Sequence, residues 1–576
     1  MKKIIIFLLL LLSMCFVYSQ EQTFDSIYPT TIGAMRATVT LYGQGTISGL
    51  KAGEEAKFQT ITFQNTPLQN VKIIKEDLNV DGTIFYPKSV LDKFGNKYAS
   101  FAITKNGNFT YEIIADVDII TSIPELLDSN IGPASESIAQ YTLESEKVES
   151  NSIEIINLAK NKLTTNNFIG TLNTTILWVN DYVEYATGSE FNKYYLQQKT
   201  AVETLLNRKG VCDEFANLAT ALLRSKNIPT RLAIGITFDG TNWGNHAWIE
   251  VYSEMQKEWI PSDPTFRETG FVDATHIKMG SFSDVSLSLA KATYPATANI
   301  SFDTQSRLPK VEITNLEYFD LVTLSASEEV IKSNTWNEIK INVTNNTNRK
   351  LQVPISTAGS NQLFFEKKRK TEVLEPHETK EVIFKLYPRI DWKENETGAR
   401  GDLIFNSLST PIKKSIVITR NEPVENGEVI IEDITPIAHE GTLLIQIKAT
   451  NYTNEDKTIS YDLTSNSFSQ NKTEVIPNFI SRIVEIQIDN YKNEDYFITI
   501  NTPTSIYTQT ITTAKQTIIT PKPLEKQTVV EQKINPNDTN NAEILILRNP
   551  LILMIGILIV VGLLLMGLLW TNKRYI

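Results

Sequence analysis

The sequence predicts a multidomain protein of mostly β structure, with one α+β unit near the middle of its 576 residues. Three observations predict this fold class. Segments rich in β-branched and aromatic residues fill residues 21–120, apolar residues at helical spacing dominate 145–226, and strand patterns return after residue 310. Helices followed by strands in the middle segment are typical of an α+β arrangement.

The first residues have the layout of a secretory signal, with two lysines, a short apolar run, and then small and polar residues. We expect a signal peptide over residues 1–19, with Val17 and Ser19 at positions suited to cleavage. Two alternatives stay open. Cys15 would be the lipidated residue of a lipoprotein signal, although a bulky residue precedes it, and an uncleaved anchor would be short for a membrane span.

Residues 20–135 are predicted to form an N-terminal β domain, because segments such as RATVTLYGQ and NFTYEIIADVDII alternate with Gly, Asn and Asp turns. Within it, GQGTISG (43–49) resembles a phosphate-binding loop only loosely. It has no βαβ context, so we interpret it as a turn.

Residues 136–308 are predicted to form the α+β unit. SIEIINLAKNKL and TTILWVNDYVEYAT have helical periodicity, and the second helix is expected to end at Thr187-Gly188. A third helix begins near Cys212 and ends at Asn227-Ile228-Pro229, after which TRLAIGITF, HAWIEVY and EWIPSD are predicted strands.

The C-terminal β region repeats itself. IKINVTNNTN (339–348) aligns with IQIKATNYTN (445–454), and TEVLEP is echoed by TEVIP about a hundred residues later. We predict two tandem immunoglobulin-like β-sandwiches, over 309–420 and 421–518.

The last segments predict a membrane anchor. A flexible stalk rich in Pro, Asn, Thr and Lys is expected over 519–548, and a transmembrane helix over 549–570. Lys573 and Arg574 then place the short tail (571–576) in the cytoplasm. We therefore expect a single-pass protein of the cell membrane with its N-terminal bulk outside the cytoplasm. The net charge of −11 argues against a nucleic-acid partner.

Glycosylation sequons fit an exported surface and predict a glycoprotein if the host uses them. They begin at Asn108, Asn173, Asn342, Asn345, Asn395, Asn451, Asn471 and Asn537. Once the signal is removed, Cys212 is the only remaining thiol, so no intramolecular disulfide can form. A lone thiol indicates a reactive nucleophile or an intermolecular bridge, and a small buried side chain is the third alternative.

Cysteine chemistry needs a thiolate, a base to form it, a group to orient that base, and donors for the oxyanion. The helix start at Cys212 favours the thiolate and supplies N–H donors, whereas Asp213 and Glu214 add opposing negative charge. A histidine is therefore required. If the two following strands pair about a centre between Glu254 and Met255, His246 lies directly opposite Asp263.

Each of these residues also has an ordinary structural interpretation. His246 would be a hydrogen-bonding strand residue, and Asp263 would cap a turn before Pro264. The combination of a cysteine at a helix start with His opposite Asp on the next hairpin favours a catalytic set over these interpretations.

Together GVCDEFANLATALLRSKNIPTR, NHAWIEVY and WIPSDPT resemble the transglutaminase-like superfamily, a branch of the papain-like cysteine enzymes. The resemblance covers about residues 145–300. It implies a papain-like core in which Cys212 is the nucleophile, His246 the general base and acid, and Asp263 the orienting carboxylate.

Three tryptophans are further site candidates. By the resemblance, Trp178 is the candidate oxyanion donor, although packing on a helix face explains it equally well. Trp248 and Trp259 are expected to pack the hairpin and shield the site. His276 is interpreted as a loop or rim residue, and no zinc or EF-hand pattern is present, so we predict no cofactor.

The leading hypothesis is an exported, membrane-anchored cysteine acyl-transfer enzyme. Its acyl group would pass to water, as in a peptidase or amidase, or to an amine, as in a protein cross-linker. The expected partner is a protein or peptide substrate outside the cell, with cell-envelope peptides as one class. The alternative is a surface adhesion or scaffold protein whose transglutaminase-like domain is catalytically silent.

Overall fold

The computed structural model describes residues 32–513, apart from 124–128, 284–289, 303–308, 328, 361, 391, 394–397 and 422–426, and also describes residues 541–544. The predicted signal peptide, transmembrane helix and cytoplasmic tail lie outside these residues, as does the stalk except for 541–544. Among the described residues, no helix has the length and apolar character needed to cross a bilayer.

The N-terminal part is built from long antiparallel strands. They are β1 (Ile32–Ser48), β2 (Ala56–Ile61), β3 (Gln69–Val80), β4 (Thr83–Phe85), β5 (Lys88–Leu91), β6 (Lys97–Ile103) and β7 (Gly107–Ile120). The turn predicted at GQGTISG is wrong, because β1 continues through it to Ser48. Gly45 permits this, since a Cβ there would lie 2.1 Å from the carbonyl oxygen of Ser301 on a neighbouring strand.

The middle part contains the helices. After a 3-10 turn (Ala139–Thr142) come α1 (Ile153–Lys162), α2 (Phe168–Tyr182), β8 (Glu184–Tyr185), α3 (Gly188–Leu196), α4 (Ala201–Asn207), β9 (Lys209–Gly210) and α5 (Cys212–Ser225). The sheet strands follow as β10 (Thr230–Phe238), β11 (Trp243–Ser253), β12 (Glu258–Ser262) and β13 (Ile277–Phe282). The predicted helix end at Thr187-Gly188 is wrong. The helix ends at Tyr182, and Thr187 is instead the residue before α3.

Both faces of the central sheet are covered. Its strand order is β12-β11-β10-β13, and Ala247 and Ile249 on one face join the apolar cluster of α5. Ile236 and Ile277 belong instead to the core of the N-terminal strands. The helical layer and the N-terminal strands therefore fix the sheet between them.

Three strands after the central sheet return to the N-terminal part. They are β14 (Ala290–Pro295), β15 (Asn299–Phe302) and β16 (Lys310–Tyr318). β14 pairs with β2, and both β15 and β16 pair with β1. The boundary predicted at residue 308 therefore does not separate these strands from the N-terminal part, which shares two sheets and one core with them.

Two further β units follow. The first has β17 (Val322–Ser325), β18 (Glu329–Lys332), β19 (Asn337–Asn345), β20 (Leu351–Ala358), β21 (Leu363–Phe365), β22 (Arg369–Leu374), β23 (Thr379–Pro388), β24 (Gly398–Ser407) and β25 (Ser409–Thr419). The second has β26 (Val429–His439), β27 (Thr442–Asn451), β28 (Lys457–Thr464), β29 (Ser469–Ile476), β30 (Ser481–Asp489), β31 (Asp495–Asn501) and β32 (Ile506–Thr512). Each unit consists of two sheets, and β33 (Asn541–Ile544), within the predicted stalk, pairs with β14.

The second of these β units contacts the helices directly. Lys162 of α1 forms an ion pair with Asp433, and the hydroxyl of Tyr182 on α2 donates to Gln446 Oε1 at 2.9 Å. His439 Nδ1 lies 2.6 Å from a carboxylate oxygen of Glu154. These contacts fix β26 and β27 against the helical layer.

The sequence repeat corresponds to one repeated turn. Asn345 and Asn451 are fully buried. The side-chain amide of each donates to a carbonyl four residues further on and to a carbonyl at or just after the end of a later strand, β22 or β29. The side-chain oxygen of each accepts from the threonine two residues further on. Both begin predicted sequons, and their burial leaves no room for a glycan in the folded chain. Asn108, Asn342 and Asn471 are the exposed sequon asparagines among the described residues.

We predict that Asn345→Ala destabilises the first of these β units by about 1–3 kcal/mol, because it leaves buried carbonyls without donors. The matched control is Asn342→Ala on the exposed face of the same strand, which should change stability by less than about 0.5 kcal/mol. Urea unfolding of both variants checks this. Equal losses for the two would contradict the structural role of the buried turn.

Candidate active site

The start of α5 is held by a glutamate that is completely buried. Glu214 Oε2 accepts the Val211 N–H at 2.8 Å, and its Oε1 accepts the Lys199 N–H at 2.7 Å. Gly210 makes room for this side chain, since a Cβ there would lie 2.3 Å from the Cβ of Glu214. The glutamate thereby fixes the backbone immediately before Cys212.

Cys212 is the first residue of α5 and is only 6% exposed. Its thiol lies 3.8 Å from Asp213 Oδ1 and is contacted by the backbone N–H of Ala247, the residue after His246. Burial, and then the charge of Asp213, raise the pKa of the Cys212 thiol well above its ordinary value, while the Ala247 N–H lowers it. The resting side chain is therefore a neutral thiol, and its ionisation requires a base.

His246 and Asp263 lie together. The imidazole Nε2 is 2.6 Å from Asp263 Oδ2, and both side chains are almost completely buried. With Nε2 on the carboxylate, Nδ1 is the nitrogen left for a proton from a thiol.

The strand register that brings this pair together differs from the prediction. Ile249 pairs with Ser262 instead of Ile260, and the loop at 254–257 ends on Lys257 with a φ of 58°. β12 ends before Asp263, so the carboxylate reaches His246 from beyond the strand end and not from the position directly opposite. A two-residue shift keeps a side chain on the same face of a sheet, which is why the contact survives.

Asp263 accepts four hydrogen bonds. The backbone N–H groups of Thr265 and Phe266 donate to Oδ1 at 2.6 and 3.1 Å, while His246 and His276 contact Oδ2. Burial alone raises the pKa of Asp263, but the two histidines more than offset it and hold the pKa well below its ordinary value. Asp263 is therefore an anion that only accepts hydrogen bonds.

His276 was expected in a loop or at the rim of the site, and it lies in the loop just before β13 but is buried and not at the rim. It is 3% exposed, and its Nε2 lies 3.1 Å from Asp263 Oδ2. Its Nδ1 lies 3.0 Å from Asp273 Oδ1, and Glu268 is 3.9 Å away. The residue just before β13 is therefore a second histidine of the site. The sequence signal for it was DATH, in which an aspartate lies three residues before the histidine.

The three tryptophans have different surroundings. Trp248 is 1% exposed and its ring lies 6.2 Å from that of His246 and 5.1 Å from that of His276, so it lines the site. Trp259 contacts Tyr141 and Tyr252 at 5.0 and 5.3 Å between ring centroids, which makes it a hairpin-packing residue.

Trp178 stacks on Tyr182 at 4.4 Å between ring centroids and lies below Lys162. Both neighbours bond to the second of the two C-terminal β units. Its Nε1 is buried without a hydrogen-bond partner among the described residues. These contacts favour the packing interpretation over the oxyanion role expected from the resemblance.

Tyr185 is an aromatic residue of the site that sequence reasoning missed. β8 pairs in parallel with β9, which places Tyr185 beside Gly210, two residues before the cysteine. Burial raises the pKa of the Tyr185 phenol well above its ordinary value, and a thiolate on Cys212 raises it further. The two-residue strand that positions Tyr185 has no recognisable sequence pattern.

Cys212, His246 and Asp263 all fall within residues 158–264, which match the family model of the transglutaminase-like superfamily. The chain contains a transglutaminase-like domain.

Two curated proteins are similar to part of this chain. A peptide-N(4)-(N-acetyl-beta-glucosaminyl)asparagine amidase of Gallus gallus is 32% identical over 89 residues, which are 15% of this chain and 13% of the relative. Its namesake of Drosophila melanogaster is 40% identical over 63 residues, 11% of this chain and 9% of the relative. The chain therefore spans about an eighth or less of the curated relatives that it matches.

Among solved structures, a candidate cysteine protease from Cytophaga hutchinsonii is similar to 49% of this chain over 92% of its own length. The identity is 22% and the TM-score is 0.36.

We predict that Glu214 makes the transglutaminase-like domain less stable at alkaline pH. Burial raises the pKa of Glu214 to about 8, and Asp213 adds to the shift. The folded state therefore binds this proton more tightly than the unfolded state, and the stabilisation is lost as pH rises from about 4.5 to about 8. Glu214→Gln should reduce the loss in unfolding free energy between pH 5 and pH 8 by about 1–3 kcal/mol.

Urea unfolding at the two pH values measures this difference. The exposed Glu258→Gln is the matched control and should retain the wild-type pH dependence. An unchanged pH dependence in Glu214→Gln would show that this carboxyl is already ionised at pH 5.

Proposed function

We propose that this protein is a cysteine acyl-transfer enzyme in which Cys212, His246 and Asp263 act as the nucleophile, the base and the orienting acid. The observation that carries the proposal is the buried 2.6 Å contact between His246 Nε2 and Asp263, beside a helix-start cysteine. A carboxylate on one imidazole nitrogen selects the tautomer whose other nitrogen accepts a proton.

The acylation step follows from this tautomer. His246 Nδ1 takes the thiol proton as Cys212 Sγ attacks a carbonyl carbon, and Asp263 stabilises the imidazolium that forms. The imidazolium then gives the proton to the leaving nitrogen as the carbon–nitrogen bond breaks. A thioester remains on Cys212, and His246 next deprotonates water or an amine, which releases the acyl group and restores the thiol.

The developing oxyanion needs donors near Cys212. The first donors within α5 are Glu214 and Phe215, which both donate to Val211 O. The N–H group of Cys212 precedes them and has no acceptor inside the helix. This N–H group, together with the positive end of the helix, supports an oxyanion site at the start of α5.

We propose a carboxamide or peptide carbonyl as the acyl donor. The names of the two curated relatives describe asparagine amidases, which supports a carboxamide nitrogen as the leaving group. We further propose an exported, membrane-anchored protein acting on proteins or peptides outside the cytoplasm. The apolar runs at 1–19 and 549–570, with lysine and arginine just after the second, support this location.

We predict that Cys212→Ala lowers turnover by roughly a thousandfold or more, because no other side chain can form the thioester. The assays are ammonia release from glutamine and asparagine peptides and incorporation of a biotinylated alkylamine, each with the full-length protein. Cys15→Ala, which changes the only other cysteine, is the matched control and should leave the rate unchanged.

The two assays also identify the acyl acceptor. Incorporation of the alkylamine indicates an amine acceptor, and ammonia release without incorporation indicates water. Equal turnover by Cys212→Ala would contradict the proposal. An inactive wild type whose Cys212 peptide, read by mass spectrometry, alkylates with iodoacetamide no faster than a free thiol would favour the adhesion or scaffold role.

A further inference from the structure

His276 lies in a fully buried ring of charge beneath the candidate triad. The side chains of Asp263, Glu268, Asp273 and His276 have no exposed surface. Three carboxyl groups therefore surround one imidazole, and His246 contacts the same oxygen of Asp263 as His276 does. Trp248 and Phe266 cover the His276 ring at 5.1 and 5.5 Å between centroids, so water cannot screen these charges.

The hydrogen-bond geometry favours one protonation state of His276 when Asp263 and Asp273 are ionised. Nε2 lies 3.1 Å from Asp263 Oδ2, and Nδ1 lies 3.0 Å from Asp273 Oδ1. A neutral imidazole has one N–H and one lone pair, so one of these contacts would set a lone pair against a carboxylate oxygen. Only the imidazolium donates to both.

The contacts of the Asp273 carboxylate favour a cation on His276. Asp273 Oδ1 also accepts from the N–H and hydroxyl of Thr275, which fixes its orientation, while Oδ2 is buried without a hydrogen-bond partner among the described residues. An uncompensated carboxylate in such surroundings is costly, and a neighbouring cation offsets that cost.

We propose that His276 is a positioning residue whose imidazolium keeps Asp263 ionised and aimed at His246. The inference rests on the proposed function of the triad. Burial lowers the pKa of His276, but the hydrogen bonds to Asp263 and Asp273 outweigh it and raise the pKa to about 10. The cation therefore persists across the pH range in which a cysteine and histidine pair operates.

A fixed positive charge on His276 also affects the ionisation of the nearby Cys212. The charge of Asp263 raises the pKa of the Cys212 thiol, and the imidazolium of His276 offsets that effect. At the 5.6 Å that separates the ring centroids of the two histidines, loss of one unit charge corresponds to a shift of up to about two pH units at an effective dielectric constant near 20.

The first test reads His276 directly and requires no turnover. Nitrogen-15 histidine spectra of the full-length protein between pH 6 and pH 9 should show both ring nitrogens of His276 protonated throughout. The chain has four histidines, and variants at single positions assign them. A ring nitrogen without a proton at pH 7 would overturn the proposal.

The spectra also test for a metal ion, since Glu268, Asp273 and His276 present ligand atoms within 4.8 Å of one another. Addition of one equivalent of Zn²⁺ or Ca²⁺ should leave both ring protons of His276 in place. Tight binding of one ion with loss of a ring proton would overturn the imidazolium in favour of a metal.

The second test is the pH profile of Cys212 alkylation by iodoacetamide, read by mass spectrometry of its peptide. His276→Gln should move the rise in rate to higher pH by about one to two units. His276→Lys, which restores a cation, should return the profile toward wild type. The exposed His377→Gln is the matched control and should leave it unchanged.

A merely structural histidine would not prefer lysine over glutamine at this position. Wild-type midpoints in both His276 variants would therefore overturn the proposal. Failure of the proposed function and failure of the inference about His276 can be told apart. An unreactive Cys212 in the wild type contradicts the proposed function, while the nitrogen spectra still report the protonation state of His276.

Discussion

The carboxylate of Asp263 is the point on which the geometry of the candidate site depends. It holds His246 by one oxygen and the 263–266 turn by the other, and its backbone bridges to Glu268 through two hydrogen bonds of 2.7 and 2.9 Å. An aspartate in this position is useful only as an anion. Two backbone N–H donors and a second histidine stabilise the negative charge of Asp263, and aromatic rings shield it from water.

The same sheet handles another buried charge differently. Glu250 lies between Lys278 and Arg231, at 2.5 and 2.7 Å, and these cations lower its pKa to about 2 against the opposing effect of burial. That group is an ordinary ion-pair network that ties β10, β11 and β13 together. Around Asp263 the carboxylates outnumber the cations instead, which is typical of sites where charge moves during a reaction.

Local patterns predicted the parts of the site that local chemistry determines. The start of a helix at Cys212 could be found because glycine, an acidic first turn and an apolar stripe coincide there. The common face of His246 and Asp263 followed from strand alternation, but their register depended on Lys257 adopting a left-handed conformation, which the sequence does not specify. His276 was missed because only the pairing of β13 with β10 brings it under Asp263. For Trp178, helical spacing could not tell a packing tryptophan from an oxyanion donor, and its stacking on Tyr182 favours packing.

The pairing of β1 with β15 and β16 has a consequence for the order in which the chain can fold. β1 begins at Ile32, yet its partners β15 and β16 are complete only after residues 302 and 318 have been synthesised. The segment between them contains all of residues 158–264, which match the transglutaminase-like family model. The strands before and after this segment together form two sheets with one shared core. Such distant pairing makes closure slow relative to the helices, which assemble from neighbours in sequence. The helical layer with its cysteine can therefore form early on the emerging chain, and the outer face of its sheet stays uncovered until the last strands of the N-terminal core arrive.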